Sequence, residues 1–295
     1  MKKNYTTERL LLSELTLKDT EFIIELVNTE GWLKFIGNRN IKTKEDAIKY
    51  IQMLLDDPGI VYWVVKSKEQ NIQIGVVTFI SRKHLPHPDL GFAFLPQHSG
   101  KGYAFEAATI VLNDIIKEHP TLLASTLDGN ISSMKLLEKL GFTPLKEELE
   151  ENIKVFYYSI TLDKLSIDAN IKTFFGIFNN KNNQQANWDP INKVCMPETM
   201  IIKKNKNERV IYNLNSFIEP RKKILSDGTL VDFEEKEISS ETKIVNNIAQ
   251  RYSRYQKNGI LNGKPFNECG TKFFQFIKTN NEWKISSIIW EDDNI

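Results

Sequence analysis

The feature that most constrains the fold is a change of pattern a little past the middle of the chain. Up to about residue 162, short β-rich runs alternate with amphipathic helical stretches; past residues 163–168 the alternation stops and strand follows strand. Alternation implies a parallel pair of strands inside a mixed sheet, and the later run implies helices first and a curved antiparallel sheet after them. At roughly 150 residues per domain, 295 residues make two domains, expected at 1–165 and 166–295. The expected class is α/β (α+β) throughout, with no internal repeat between the halves.

In the first half, residues 7–13 read as a strand, and 17–28 as a helix with Phe22, Ile23, Leu26 and Val27 on one stripe. A loop holds Gly31, Trp32, Phe35 and Gly37. Thr43 with Asp46 forms a capping box that opens a helix through residue 55, and Asp57-Pro58-Gly59 ends it. Residues 61–66, 72–82 and 90–95 follow as an antiparallel meander. A helix over 103–118, a strand at 122–127, a helix at 132–140 and strands at 143–147 and 155–162 close the unit. The second half opens with a helix over 171–178 and a polar loop over 179–187. Strands then read at 200–204, 209–213, 221–225, 230–240, 243–255, 271–279 and 283–290.

Charge excludes some partners. Lys and Arg number 39 against 38 Asp and Glu, a formal charge of +1. Residues 1–165 carry 20 basic and 22 acidic side chains, leaving 19 and 16 for the rest. Neither half is a polyelectrolyte drawn to nucleic acid or anionic lipid. No apolar run approaches the ~20 residues of a membrane span, and the N-terminus reads neither as a signal nor as an anchor, so the expected location is the cytoplasm. Cys195 and Cys269 stand apart from each other and from any His, and read as buried thiols rather than a disulfide framework or a zinc site. No metal is expected.

The strongest local signal is Gln97-His98-Ser99-Gly100-Lys101-Gly102-Tyr103-Ala104, between the strand at 90–95 and the helix at 103–118. Glycines at such a junction let the backbone approach a ligand, and free N–H groups at a helix start attract an anion such as pyrophosphate. The segment is neither a Walker A loop nor a GxGxxG fingerprint; a tight turn with incidental glycines is the plain alternative.

This segment resembles the Q/R-x-x-G-x-G/A acetyl-CoA loop of the GCN5-related N-acetyltransferase (GNAT) superfamily. Thr7-Glu8-Arg9-Leu10 resembles the opening strand of its ribosomal-protein N-acetyltransferase-like branch, and Asp89-Leu90-Gly91-Phe92-Ala93-Phe94 its central strand. The run from Asn130 to Phe142 is similar to the family's N-x-x-S-x-x-x-L-E-K-x-G-F segment. The likeness spans about residues 7–162. It implies acetyl-CoA as cosubstrate, with the pyrophosphate on backbone N–H groups from His98 to Ala104. The pantetheine would lie along residues 92–95, including Phe94 and Leu95, and near Asn130 and Ser133. It further implies direct transfer to a primary amine, on a small molecule or a peptide N-terminus.

Such a transfer needs a neutral amine, an oxyanion donor, expected near Leu95, and a proton for the leaving thiolate. Many relatives carry Tyr where this chain has Leu137, so Ser133 is the nearest hydroxyl, although a helix cap is its plainer role. Asp89 is the first choice for the base, ahead of Glu14, His84 and His87, with an ion pair to Arg82 as its structural alternative. By the same likeness Trp32, Ile36 and Asn38 cover the acceptor, against simple core packing.

Residues from about 167 resemble the NTF2-like superfamily, in its SnoaL-like or DUF4440-like members. The points of likeness are the helix over 171–178, Trp188-Asp189 opening another helix, and the segments at 247–255, 270–276 and 283–290. The resemblance implies a cone with a pocket touching Trp188, Arg251, Gln275 and Trp290, or a homodimer face. Arg251 and Gln275 have a structural network as the plainer reading. The half contains no histidine, and Asp232, Glu234, Glu235, Glu237 and Glu291-Asp292-Asp293 read as solvated charge, so binding or assembly is expected rather than catalysis. For the first domain, acetyl-CoA sensing without turnover is the rival to acetyl transfer.

Overall fold

The computed structural model describes residues 1–150, 153–205 and 208–293, and the chain divides into two compact units, Met1–Leu162 and Asp163–Ile295. No helix among the described residues is long and apolar enough to cross a membrane.

The first unit runs β1 (Asn4–Thr6), β2 (Leu10–Glu14), α1 (Thr20–Val27), α2 (Glu30–Phe35), α3 (Lys44–Asp56), β3 (Ile60–Ser67), β4 (Gln73–Ile80) and β5 (Asp89–Phe94). It continues with α4 (Tyr103–Glu118), β6 (Thr121–Leu127), α5 (Ile131–Lys139), β7 (Thr143–Glu150) and β8 (Ile153–Thr161). These build an eight-stranded sheet in the order β1-β2-β3-β4-β5-β6-β8-β7. Every neighbouring pair is antiparallel except β5 and β6, as the alternation of strand and helix requires. One sheet face, with Val64, Val76, Ala93 and Leu95, is covered by Phe22, Ile23, Leu26, Trp32, Ala47 and Ile51 of α1, α2 and α3. On the opposite face Phe79 meets His119 at the end of α4, with ring centroids 4.8 Å apart. Each large side chain buried in this way stabilises the unit by roughly 1.5–3 kcal/mol.

Two local readings change. The loop expected around Trp32 is the short helix α2, capped by Thr29 through its hydroxyl, and Trp32 is 4% exposed. Gly31 was a poor guide because a capped single turn tolerates it at ~1 kcal/mol. The expected helix over 17–28 begins with a 3₁₀ turn at Leu17–Asp19.

The second unit contains α6 (Leu162–Ile177), which starts at the boundary, α7 (Ile191–Val194), β9 (Cys195–Asn205), β10 (Glu208–Tyr212) and α8 (Leu214–Ser226). Four long strands follow: β11 (Leu230–Val245), β12 (Ile248–Leu261), β13 (Lys264–Thr279) and β14 (Glu282–Asp292). The sheet order is β10-β9-β14-β13-β12-β11. It is antiparallel except for β14 with β9, a parallel pair that the expected antiparallel sheet did not include. Tight turns join the long strands. Asn262 and Gly263, and again Asn280 and Asn281, hold positive φ at both turn positions, the conformation that matches strand twist. Ile167, Ile171, Phe174 and Phe175 of α6 share one core with Phe274, Phe276, Ile285 and Ile288 of the sheet. Gly270 has no room for a side chain, since a Cβ there would lie 2.3 Å from the Tyr255 hydroxyl oxygen.

The strand expected at 221–225 is the end of α8. Asn213 and Ser216 cap that helix reciprocally, at 2.9 and 3.0 Å, and Leu214, Phe217 and Ile218 bury its inner side. Pro220 lies inside the helix. The strand expected at 243–255 is two strands with a turn at Asn246, where φ is +52°. Trp188-Asp189 precedes only the single turn α7.

Candidate functional site

The parallel pairing of β5 with β6 stops where it starts, at Asp89 opposite Leu123. Beyond that point β5 keeps β4 on one side, Gly75 to Ile80 facing Phe94 to Asp89, and has no strand on the other. The Leu95 N–H donates to the Ile74 carbonyl at 2.9 Å. Strand alternation therefore turns the N–H and C=O groups of Phe92 and Phe94 toward the open side. The Leu95 amide itself, near which an oxyanion donor is expected, is thus committed to β4.

The chain then enters the loop ahead of α4. Two N–H groups expected to face a ligand are used inside a 3₁₀ turn: His98 donates to Leu95 O at 3.0 Å and Ser99 to Pro96 O at 3.1 Å. From Gly100 to Phe105 no backbone N–H has an acceptor among the described residues. Gly100 and Gly102 hold φ of +73° and +79°, which L side chains rarely adopt, and open space surrounds the Gly100 Cα. Gly102 caps α4 with no side chain. The result is a row of free donors at a helix start, suited to an anion.

Arg9 braces this row. Its guanidinium donates to Lys101 O at 2.9 Å and to Glu106 at 2.6 Å, and it lies 4.7 Å from the centre of the Tyr103 ring. Burial pushes the Glu106 carboxyl up. Hydrogen bonds from Thr7, the Arg9 amide and the Arg9 guanidinium outweigh that and hold it below its usual range. The sequence signal for this brace was Thr7-Glu8-Arg9 itself, which carried a likeness but no assigned contact. His98 is 6% exposed, with its Nδ1 unpaired and burial, then Lys101, lowering its pKa. Gln97 reaches Glu25 at 3.3 Å.

Asn130 caps α5: its side-chain oxygen accepts from the Ser133 N–H at 3.3 Å and from the Ser132 hydroxyl at 3.1 Å. The Ser133 hydroxyl has no hydrogen bond among the described residues. Leu137 is buried in the core.

Asp89 begins β5 on the face covered by α1, α2 and α3. It is 5% exposed and pairs with Arg82 Nε at 3.1 Å, while its other oxygen is buried without a partner. Burial raises its pKa despite Arg82. Trp32 packs into the same face with its indole N–H buried and unpaired. Ile36 caps the end of α2 and is exposed, and Asn38 accepts from the Asn40 N–H at 2.8 Å.

The four residues expected to line a pocket in the second unit do not converge. Arg251, 4% exposed, spends its guanidinium on Glu237, Asp168 and Thr242 at 2.5–2.9 Å. Gln275 is exposed, one register position from Phe274, on the face opposite Arg251. Trp188 packs edge-on against Phe178, and Trp290 against Phe217, with Phe178 and Phe217 themselves in contact. The acids expected in solvent are partly interior. Glu235 meets Lys272 with both side chains under 10% exposed, and Asp292 takes Lys257 at 2.7 Å, Lys203 at 3.2 Å and the Tyr255 hydroxyl. Cys195 is buried and Cys269 half-buried, and both are free thiols. Among the described residues no group of three or more His, Cys, Asp or Glu side chains is placed to hold a metal ion.

Residues 9–143 match the family model described as Acetyltransferase (GNAT) domain. Over 138 residues the chain is 28% identical to an uncharacterized N-acetyltransferase, YnaD, of Bacillus subtilis (strain 168), covering 46% of this chain and 80% of that protein. Over 147 residues it is 26% identical to a second uncharacterized N-acetyltransferase of the same organism, YoaA, with the same coverage. Among solved structures, an acetyltransferase of the GNAT family from Bacillus anthracis aligns at 25% identity and a TM-score of 0.47, covering 54% of this chain and 98% of that chain. Residues 9–143 are an acetyltransferase (GNAT) domain.

Proposed function

We propose that this domain moves an acetyl group from acetyl-CoA to a primary amine by direct attack, in the cytoplasm. The observation that carries the reading is the row of unpaired N–H groups from Gly100 to Phe105 beside a strand, β5, whose second edge is open. The row suits the pyrophosphate and the open edge suits the amide-bearing pantetheine arm, which pairs as an added strand. That arrangement leads the thioester toward Phe92 and Phe94, whose N–H groups are available to the carbonyl oxygen as charge develops there. The amine nitrogen forms the new C–N bond, the C–S bond breaks, and the ammonium proton passes to Asp89 through water. Asp89 suits this role because burial holds its pKa above the ordinary carboxylate value. With Leu137 in place of a phenol, the thiolate takes its proton from Ser133 or from solvent.

The second unit, in this reading, is an NTF2-like cone that binds a small molecule or joins two copies of the chain. Its six-stranded sheet covered by α6 supports the cone, and its lack of histidine supports binding over catalysis.

Gly102→Val tests the cofactor site. A valine at φ +79° is strained, costing about 1–2 kcal/mol, and its side chain would intrude on the donor row. Calorimetry is expected to show acetyl-CoA affinity falling more than ~100-fold, about 2.7 kcal/mol, with the protein still folded. Unchanged affinity would remove the loop from the cofactor site. Release of free CoA with a panel of amines separates transfer from sensing without turnover.

A further inference from the structure

We infer that the acceptor amine carries an anionic group, a carboxylate or a phosphate, which Arg39 and Arg82 receive. This rests on the acetyl-transfer reading and adds the chemistry of the acceptor. The two segments that border the Asp89 face share a composition that the near-neutral chain conceals. Residues 32–44 contain Lys34, Arg39, Lys42 and Lys44 with no acid, and residues 81–88 contain Arg82 and Lys83 with two histidines and no acid.

The fold aims these segments at one place. Register puts Ile60, Ile80 and Asp89 in one row and Tyr62, Thr78 and Gly91 in the next, on the face where Trp32 and Tyr50 pack. The Arg39 and Arg82 guanidinium groups both act electrostatically on the buried Tyr62 hydroxyl of that face, in the sense opposite to Tyr50. Arg39 bends back over Gly37, its Nη1 3.9 Å from where a Cβ would stand. It makes no ion pair among the described residues. Arg82 gives only its Nε to Asp89, leaving the forked end of the guanidinium without a partner there. Two acids of the flanking segments are occupied by backbone amides. Asp46 accepts the Lys42 and Thr43 N–H groups at 3.1 and 3.0 Å, and Asp57 accepts the Gly59 N–H at 2.8 Å.

Buried polar atoms without partners mark the same face: the Trp32 indole N–H and one Asp89 oxygen, on side chains at least nine-tenths buried. Buried polar groups normally find partners, so a donor and an acceptor left open near two forked cations describe a site awaiting a polar molecule. An amine with an anionic group fits it: the cations hold the anion as planar forks hold carboxylate or phosphate, and the Asp89 carboxylate faces the ammonium. A dication would meet two like charges.

The test uses the full chain and matched small amines: β-alanine, O-phosphoethanolamine, β-alanine amide and 1,3-diaminopropane. Free-CoA release is expected to give kcat/KM at least tenfold higher for one or both anionic amines than for the amide, through KM, and lowest for the diamine. The preference should shrink as salt is raised, because the rim is exposed, and Arg39→Gln should bring the anion-to-amide ratio below about threefold while acetyl-CoA affinity stays fixed. The carboxylate and phosphate arms identify which anion is preferred. Calorimetry of the same amines on the CoA complex supplies a second readout. Anionic amines that bind preferentially without turnover would keep this inference and remove the transferase reading. Turnover or binding indifferent to charge, or favouring the diamine, would overturn the inference and leave the transferase reading standing.

Discussion

The two units handle interior charge in opposite ways. In the second, each deeply placed ion of the sheet meets its complement: Arg251 meets Glu237 and Asp168, Lys272 meets Glu235, and Asp292 meets Lys257 and Lys203. In the first, the buried side-chain atoms left without any partner among the described residues are the Trp32 indole N–H, one Asp89 oxygen and His98 Nδ1, all bordering the proposed acceptor and cofactor sites. A satisfied network fixes one conformation and has nothing left to offer a ligand. An unsatisfied one sacrifices stability and keeps its donors and acceptors for a molecule that arrives later.

The sharpest way to break the contrast is to unbalance the second unit. Lys272→Met strands Glu235 in the interior, and loss of one partner of a buried pair costs about 3–5 kcal/mol. Urea unfolding of the full chain should show a large loss confined to one transition, and Glu235→Leu added to it should restore most of the stability. A single mutant as stable as the parent would mean that the pair is not buried in solution.

Acid provides the next largest effect. Burial raises the Asp292 pKa, but Lys257, Tyr255 and Lys203 together hold it at about 2. A carboxyl depressed on folding contributes stability that is present above its unfolded value, near 3.9, and is lost as the pH falls through the folded one. The second unit should therefore lose about 2 kcal/mol between roughly pH 4 and pH 2. Asp292→Asn should flatten that part of the pH profile; an unaltered profile would assign the acid sensitivity to other carboxylates.

The smallest effect sharpens the first unit's side of the comparison. Trp32→Phe removes an indole N–H that bonds to nothing in the protein, so the loss of stability should stay within about 1.5 kcal/mol, the range for a swap of similar shape. If that N–H serves the acceptor, the change should appear in the acceptor KM with acetyl-CoA affinity constant. A loss above 3 kcal/mol would make Trp32 a packing residue alone.

Legibility in the sequence followed the distance over which the causes act. The loop before α4 could be read because its conformation is local: Gly100 and Gly102 announce the positive φ that the turn needs. The capping box of Thr43 and Asp46 is equally short-range. What could not be read depends on distant partners. Glu235 looks like solvated charge until β13 brings Lys272 to it across 37 positions. Gln275, expected at a pocket or in a structural network, is turned outward because strand alternation gives Phe274 and Phe276 the inner face. Arg221 lies inside a helix rather than opening a strand because Asn213, eight residues earlier, sets the start of α8.

The parallel pairing of β9 with β14 has a consequence for how the chain is made. The four strands from β11 to β14 can pair in the order of their synthesis, each hairpin closing a tight turn. β9 instead waits for a partner that begins with Glu282, and Cys195 meets Ile285 only after ninety further residues have been added. Until then β9 has β10 on one side and an open edge on the other, with Met200, Ile201 and Ile202 upon it, the kind of edge that recruits strands from other chains. The final strand is thus the one that seals the unit. A chain stopped before residue 282 is expected to aggregate on emerging from the ribosome, while one stopped after 293 remains dispersed.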